Sequence, residues 1–360
     1  MRIEDALQEH ARYKILEAVD PKHLFSVELV SRCAPELELP EDSVADCGIV
    51  LDKTNLSDFQ LLQYRDGGVS LEQAFELIRT DEQARTFLGA MYRFLWGLYK
   101  MADEGVGHFD IKPDNITYDG SHLYLIDYGS VRTFNDVLNA LDAVGDEATY
   151  QFRNHEVERR TGLDLYTPYE TWPLEFPFMV FGPGDGDRHA GLTKEKKMKL
   201  LFPEGAASIQ RDIYMNRVYD YTANKESMQT YILQKLMKLA ETSTGDRDIR
   251  QKIFLTADTY AFGLVYAYLS HRPGVHPLLT QAFVGGLYQF VLPSAFDRYN
   301  APNILDEYAK WAGSRGVELP DMEREMKAPA HIGAPTAPFL SRAHVRAVAA
   351  PPIIQTPSPI

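Results

Sequence analysis

Between His108 and Asn115 the chain reads HFDIKPDN, placing two carboxylates, a lysine and an amide within eight residues. Phosphoryl transfer needs an acceptor held in line, a carboxylate to take its proton and cations on the phosphate oxygens. Asp110 has the chemistry of that base, Lys112 can neutralise the transferring group, and Asn115 offers an amide oxygen as a hard ligand for Mg²⁺. A second acidic turn, LIDYGS, follows shortly afterwards. There Asp127 comes directly after the strand-like Leu123–Ile126, and Gly129 permits a sharp turn. Asn115 and Asp127 together are the candidate metal ligands. The bland alternative is a pair of solvated, charge-rich turns.

The two motifs and their separation resemble the catalytic loop H-R-D-L-K-P-E-N and the D-F-G of the eukaryotic-type protein kinases. Other stretches are similar in the same order. FQLLQYRDGG resembles the last strand and hinge of the N-lobe; this implies Leu62 as gatekeeper and Gln63, Tyr64 and Arg65 as the backbone that receives adenine, with Thr117 as a further nucleotide contact. TPYETWPLE resembles the end of an activation segment, with Pro173-Leu174-Glu175 in place of A-P-E. TADTYAFGL resembles the central C-lobe helix and implies Asp258 as a buried anchor for the catalytic loop. DRYNAPNILDEY implies Arg298 as the partner of Glu175. Lys112, two positions after the base, matches serine/threonine enzymes, and Thr167 is similar to the threonine that holds base and lysine, or else caps a turn. The implied activity is transfer of the ATP γ-phosphate to protein hydroxyls, with ATP and Mg²⁺ as cofactors.

The sequence also departs from that family. No glycine-rich loop and no β3 lysine precede HFDIKPDN. The opening helix resembles the regulatory helix itself, with Glu9, and Glu4 behind it, as candidates for the lysine-pairing glutamate. Lys14 lies mid-helix, an unsuitable place for the missing lysine, and the acidic GPGDGD run at 182–187 reads as a loop rather than a phosphate cradle. Phe109 replaces the usual arginine, so control by an activation-loop phosphate is not expected. The insertion, the YRDGG hinge and the WPLE ending resemble the divergent kinases of large DNA viruses. The first N-lobe strands are expected to be missing, through a truncated or split gene or a reduced lobe. The expected partners are thus a protein substrate and a missing N-lobe segment on another chain. Two alternatives stand beside the kinase: a pseudokinase or kinase fragment serving as a scaffold, and a small-molecule phosphotransferase of related fold.

The elements that must position these residues follow from periodicity. IEDALQEHARYKILEAV predicts an amphipathic helix ended by Asp20-Pro21. HLFSVELVSRC, CGIVLD and DFQLLQYRDGG read as strands, 71–104 as helix, and ITYDGSHLYLID as two short strands around a turn. SMQTYILQKLMKLAETS and TADTYAFGLVYAYLSH read as helices. The predicted fold class is α+β: a bilobal protein-kinase-like fold with a reduced N-lobe sheet and a large, mainly helical C-lobe. Residues 1–66 form the partial N-lobe and 67–326 the C-lobe, with a long insertion at about 180–250 that carries the basic run KEKKMK; the Pro/Ala-rich 327–360 reads as a disordered tail. A net charge of −14 disfavours nucleic acid or an anionic membrane as a partner through the global field. Two cysteines without a C-x-x-C pair, and an N-terminus without an apolar stretch, fit a reducing setting, the cytoplasm, or a host cytoplasm or virion if the protein is viral.

Overall fold

The computed structural model describes residues 2–33, 59–143, 150–163, 171–179, 214–216, 218, 227–232, 234–235, 246–292, 295–299 and 304–327. The expected strand CGIVLD, Thr167, GPGDGD, KEKKMK and the tail beyond 327 lie outside them.

The architecture is mixed α+β. Helix α1 (Ile3–Val19) buries Ala6, Tyr13, Leu16 and Val19, one stripe at helical spacing. It stops at Asp20, whose buried carboxylate accepts the backbone N–H groups of Leu24, Phe25 and Ser26 and the Ser26 hydroxyl, at 2.8–2.9 Å. That turn delivers the Phe25 ring onto Gly97, where a Cβ would stand 2.3 Å from Phe25 Cγ. Only glycine admits the ring there.

Strand β1 (Leu29–Cys33) pairs antiparallel with β2 (Leu61–Tyr64). The expected long strand from residue 23 is regular only from Leu29, because Asp20 holds the preceding backbone in a turn. Beyond the Gly67-Gly68 turn, β3 (Val69–Ser70) pairs with β5 (Ile116–Tyr118), which pairs with β6 (Leu123–Leu125); β4 (Val106–Gly107) pairs with β7 (Arg132–Thr133).

The helix expected over 71–104 is two helices, α2 (Leu71–Leu77) and α3 (Asp81–Asp103). Each begins with a capping box, Ser70 with Gln73 and Thr80 with Gln83, and the second box starts a new helix where periodicity alone reads straight through. Helix α3 turns Phe87, Leu88, Met91, Phe94, Leu95, Leu98 and Met101 inward. Helices α4 (Phe134–Asp142) and α5 (Tyr150–Thr161) follow β7.

Helix α6 (Asp246–Ser270) begins nearly three turns before Thr256, where the stretch that predicts it starts. From Ile253 to Leu269 it is buried on nearly every side, so it forms the middle of the core rather than a covering layer. Helices α7 (Pro277–Ala282), α8 (Ala295–Tyr299), α9 (Ile304–Ser314) and α10 (Met322–Lys327) complete the described chain. Among the described residues no helix is long and apolar enough to cross a membrane.

Candidate active site

The HFDIKPDN loop hangs from the central helix. Asp258 of α6 accepts the backbone N–H of His108 at 2.6 Å and of Phe109 at 2.9 Å. Burial pushes the Asp258 carboxyl above its ordinary value, with His108 and the two amides opposing that shift. Phe109, in the arginine's place, has a left-handed φ of 61° and points into the apolar interior against Phe254 and Phe176, with ring centroids at 4.9 and 5.8 Å. Such a φ is unfavourable for a bulky residue and persists only where the surroundings dictate it. Here the amide clamp, and Trp172 Nε1 donating to the Phe109 carbonyl at 2.7 Å, dictate it. Thr171 Oγ1 adds a bond to the Ile111 carbonyl at 2.8 Å.

The loop so fixed brings its polar side chains together. Lys112 Nζ stands 3.0 Å from Asp110 Oδ2. Asn115 Nδ2 donates to the same oxygen at 2.7 Å and to the Asp110 carbonyl at 3.0 Å. The Asn115 N–H groups are thus turned to the base, which aims the amide oxygen away from it. His108 is buried, and burial lowers its pKa, so the ring is neutral at pH 7. Its Nδ1 accepts the Asp110 N–H at 3.3 Å, which leaves Nε2 to donate to the Ile126 carbonyl at 3.2 Å.

Asp127 also has a left-handed φ of 61°, and its exposed carboxylate accepts the Gly129 N–H at 3.3 Å. Tyr128, next in line, is buried and ties the turn to two backbone segments: its hydroxyl donates toward the carbonyls of Val27 and Leu125, at 2.9 and 2.8 Å. Its ring lies between His108 (6.3 Å) and Tyr13 of α1 (5.3 Å). A column of three rings therefore runs from the Asp258-held loop to α1.

Two glutamates of α1 have different fates. Glu4 is exposed, whereas Glu9 is half-buried and accepts the Tyr64 hydroxyl at 2.7 Å. Burial raises the Glu9 carboxyl; the Tyr64 bond and the Arg12 charge oppose the rise. Lys14 is exposed and pairs with Glu17 at 2.5 Å, away from these residues.

The stretch expected as the hinge begins in β2. The β2 residue that touches both α1 and the Asp127 turn is Tyr64, with ring centroids 6.2 Å from Tyr13 and 5.6 Å from Tyr128; Leu62 lies one pleat earlier, opposite Arg32. Gln63 Oε1 accepts the Ser31 hydroxyl on the exposed face, and the Arg65 N–H is already spent on the Glu28 carbonyl at 2.9 Å. Among the described residues strand pairing ends there, and the backbone of Asp66–Gly68, directly after Gln63–Arg65, has no strand partner. Thr117 closes the floor beneath it. Its Oγ1 is buried without a hydrogen-bond partner and would stand 2.3 Å from a Cβ on Gly67. An orphaned hydroxyl beneath an unpaired turn is a position from which a bound ring could be contacted.

Behind the loop, Glu175 and Arg298 form a buried ion pair. Arg298 Nη1 also donates to the Leu292 carbonyl at 2.8 Å, and its guanidinium lies 4.6 Å from the centroid of the Tyr260 ring. Three residues escaped the sequence reading. Tyr13 lies off the Ile3, Leu7, Ala11, Ile15 and Val19 spacing from which the helix is predicted, while Thr171 and Trp172 sit inside the TPYETWPLE stretch that was singled out for other positions. Among the described residues, no group of three or more His, Cys, Asp or Glu is arranged to hold a metal ion. The Asn115 amide oxygen and the Asp127 carboxylate are oxygen donors of the kind that could hold Mg²⁺ if phosphate oxygens supplied the remaining ligands. The chain matches no known protein-family model and no curated protein.

Proposed function

We propose that this chain is a protein serine/threonine kinase with a bilobal protein-kinase-like fold, in which α1, β1 and β2 belong to the small lobe. The observation that carries this reading is the cradle around Asp110. One carboxylate oxygen is held by both Lys112 and Asn115, on a loop fixed to the central helix through Asp258. An oriented carboxylate beside a lysine is what in-line transfer to a hydroxyl requires, because little covalent chemistry is left to the protein.

In this mechanism Asp110 orients the acceptor hydroxyl and takes its proton on the carboxylate. Lys112 Nζ neutralises charge on the phosphoryl group as it passes. Asn115 and Asp127 would hold Mg²⁺, which supplies charge neutralisation on the phosphate oxygens. The Asp66–Gly68 backbone and Thr117 would receive the base of ATP. His108, neutral and bonded on both ring nitrogens, keeps the loop and the Asp127 turn in register.

A second reading, a nucleotide-binding or scaffold module without catalysis, draws on one observation. Glu9, the glutamate expected to hold a nucleotide-binding lysine, is engaged with the Tyr64 phenol. Incubation with labelled ATP, Mg²⁺ and a generic acceptor protein separates the two. Label transferred by the wild type and abolished in Asp110→Asn is the expected result. Nucleotide binding with no transfer above the Asp110→Asn level would sink the kinase and leave the module.

A further inference from the structure

A cavity of about 530 Å³ opens behind the Asp127 turn, between α1, β7, α4 and α5. Its lining includes Arg12, Arg132, Arg159 and Arg160 against the single carboxylate of Asp136. That concentration of positive charge stands out in a chain with a net charge of −14. Asp136 is already committed, since its carboxylate accepts the Thr133 hydroxyl at 2.7 Å and the Thr133 N–H at 3.3 Å as a helix cap.

The two inner arginines are held close together, and among the described residues neither has a direct ion pair: Glu9 acts on Arg12, and Asp136 on Arg132, through their charges alone. Both donate Nη1 to the same acceptor, the Gly129 carbonyl. Arg132 also donates to the carbonyls of Thr161 and Val131, and Arg12 to the Gln8 side-chain amide at 3.3 Å. These bonds run to neutral groups. Burial, and next the charge of Arg12, bring the Arg132 guanidinium down to about 10. Gly162 has a φ of +72°, and a Cβ there would lie 2.8 Å from Arg132 Nη2 and 3.3 Å from Arg12 Nη2. Any side chain would fill the space that both guanidiniums border. The α5 carbonyl of Thr161, which would repel an anion, is covered by Arg132. Arg159 and Arg160 follow at the rim, the first bonded to Glu156 at 2.8 Å and the second at 3.5 Å from it.

We propose that this cavity binds a small phosphate-bearing anion, with Arg12 and Arg132 at its floor and Arg159 and Arg160 at its rim. Forked guanidiniums suit phosphate oxygens, and the volume lies within the range of small-molecule sites rather than that of a lone ion. The anion would relieve the repulsion between Arg12 and Arg132 and tie α1 and α5 to the carbonyl of Gly129. The inference is independent of the proposed phosphoryl transfer.

The test is calorimetric titration of the full chain with pyrophosphate and with inorganic phosphate, at ionic strength held constant with chloride. Three variants accompany the wild type: Arg159→Gln/Arg160→Gln, which alters only the rim; Gln8→Glu, which places a built-in carboxylate beside Arg12; and Asp127→Asn. Pyrophosphate is expected to bind the wild type and to bind the rim variant and Gln8→Glu at least tenfold more weakly, while Asp127→Asn binds as the wild type does. Gln8→Glu is also expected to melt higher without anion, which shows that it folds. Equal affinity in the wild type and both cavity variants overturns the proposal. So does binding lost only in Asp127→Asn, which would put the anion at the proposed nucleotide site, and so does a wild type that responds to pyrophosphate no more than to chloride.

Discussion

Asn115 donates its side-chain amide to both the carboxylate and the carbonyl of Asp110, at 2.7 and 3.0 Å. The residue expected to hold a metal is therefore also the one that orients the base. Asn115→Ala removes both functions, and transfer of label from ATP is expected to fall by about 10² or more, comparable with losing one preorganised electrostatic contact at a reaction centre. Raising the Mg²⁺ concentration should recover only part of that loss, since Asp110 stays misoriented. Full recovery by Mg²⁺ would show that Asn115 does no more than bind metal.

Glu175 and Arg298 offer a test of stability rather than activity. The two side chains are 0% and 2% exposed. Arg298→Met leaves a buried carboxylate unpaired and is expected to cost about 3–5 kcal/mol in urea unfolding. Among the described residues Glu175 Oε2 and Arg298 Nε have no hydrogen-bond partner, so the pair is incompletely satisfied. The double variant Glu175→Leu/Arg298→Met is accordingly expected to be more stable than Arg298→Met alone. If the double variant is the weaker, Arg298 acts through Tyr260 and Leu292 rather than through Glu175.

Acid should loosen the contact between α10 and α3. Glu325 takes both Nε and Nη2 of Arg93, at 2.8 and 2.7 Å, and this bonding holds its carboxyl below the ordinary glutamate value of 4.5. A carboxyl depressed in the folded state contributes stability that is complete above its unfolded value and is lost as pH falls through the folded one. The slope of unfolding free energy against pH should flatten below about 4.5 in Glu325→Gln. Burial and Arg93 also lower His122 from 6.5, so His122 adds a separate loss beginning below that pH, which the Glu325→Gln variant retains.

Tyr64→Phe isolates one hydrogen bond between β2 and α1. The Tyr64 hydroxyl opposes the burial that raises Glu9. Its removal should shift the Glu9 titration midpoint upward in side-chain carboxyl NMR and cost about 1.5–3 kcal/mol, the range for a hydrogen bond to a charged group. An unmoved midpoint would show that Arg12 and solvent, not Tyr64, set the Glu9 charge.

How far the site is legible in sequence depends on how far apart its parts are. HFDIKPDN can be read directly because Asp110, Lys112 and Asn115 meet within one loop. The Asp258 anchor and the Glu175–Arg298 pair bridge long separations, and only resemblance to an ordered set of motifs points to them; the contacts themselves are present. Other features carry no such signal. The two capping boxes that split 71–104 are a local code that the strong apolar period of α3 conceals. Which pleat of β2 meets Tyr13 is hidden as well, because a four-residue strand cannot reveal its facing by itself. The arginine cavity gathers residues from α1, β7 and α5 whose separate neighbourhoods look like ordinary charged surface.

The clamp between Asp258 and the backbone of His108 spans 150 residues of chain. A ribosome adding about 5–20 residues per second needs roughly 8–30 s to get from one to the other. Throughout that interval the nascent loop carries Asp110, Lys112 and Asn115 without the carboxylate that fixes its backbone. Synthesis thus imposes an order of events: the polar residues come first and the geometry that makes them useful comes last. A chain released before α6 has emerged would contain every residue of the HFDIKPDN loop without the Asp258 clamp on its backbone.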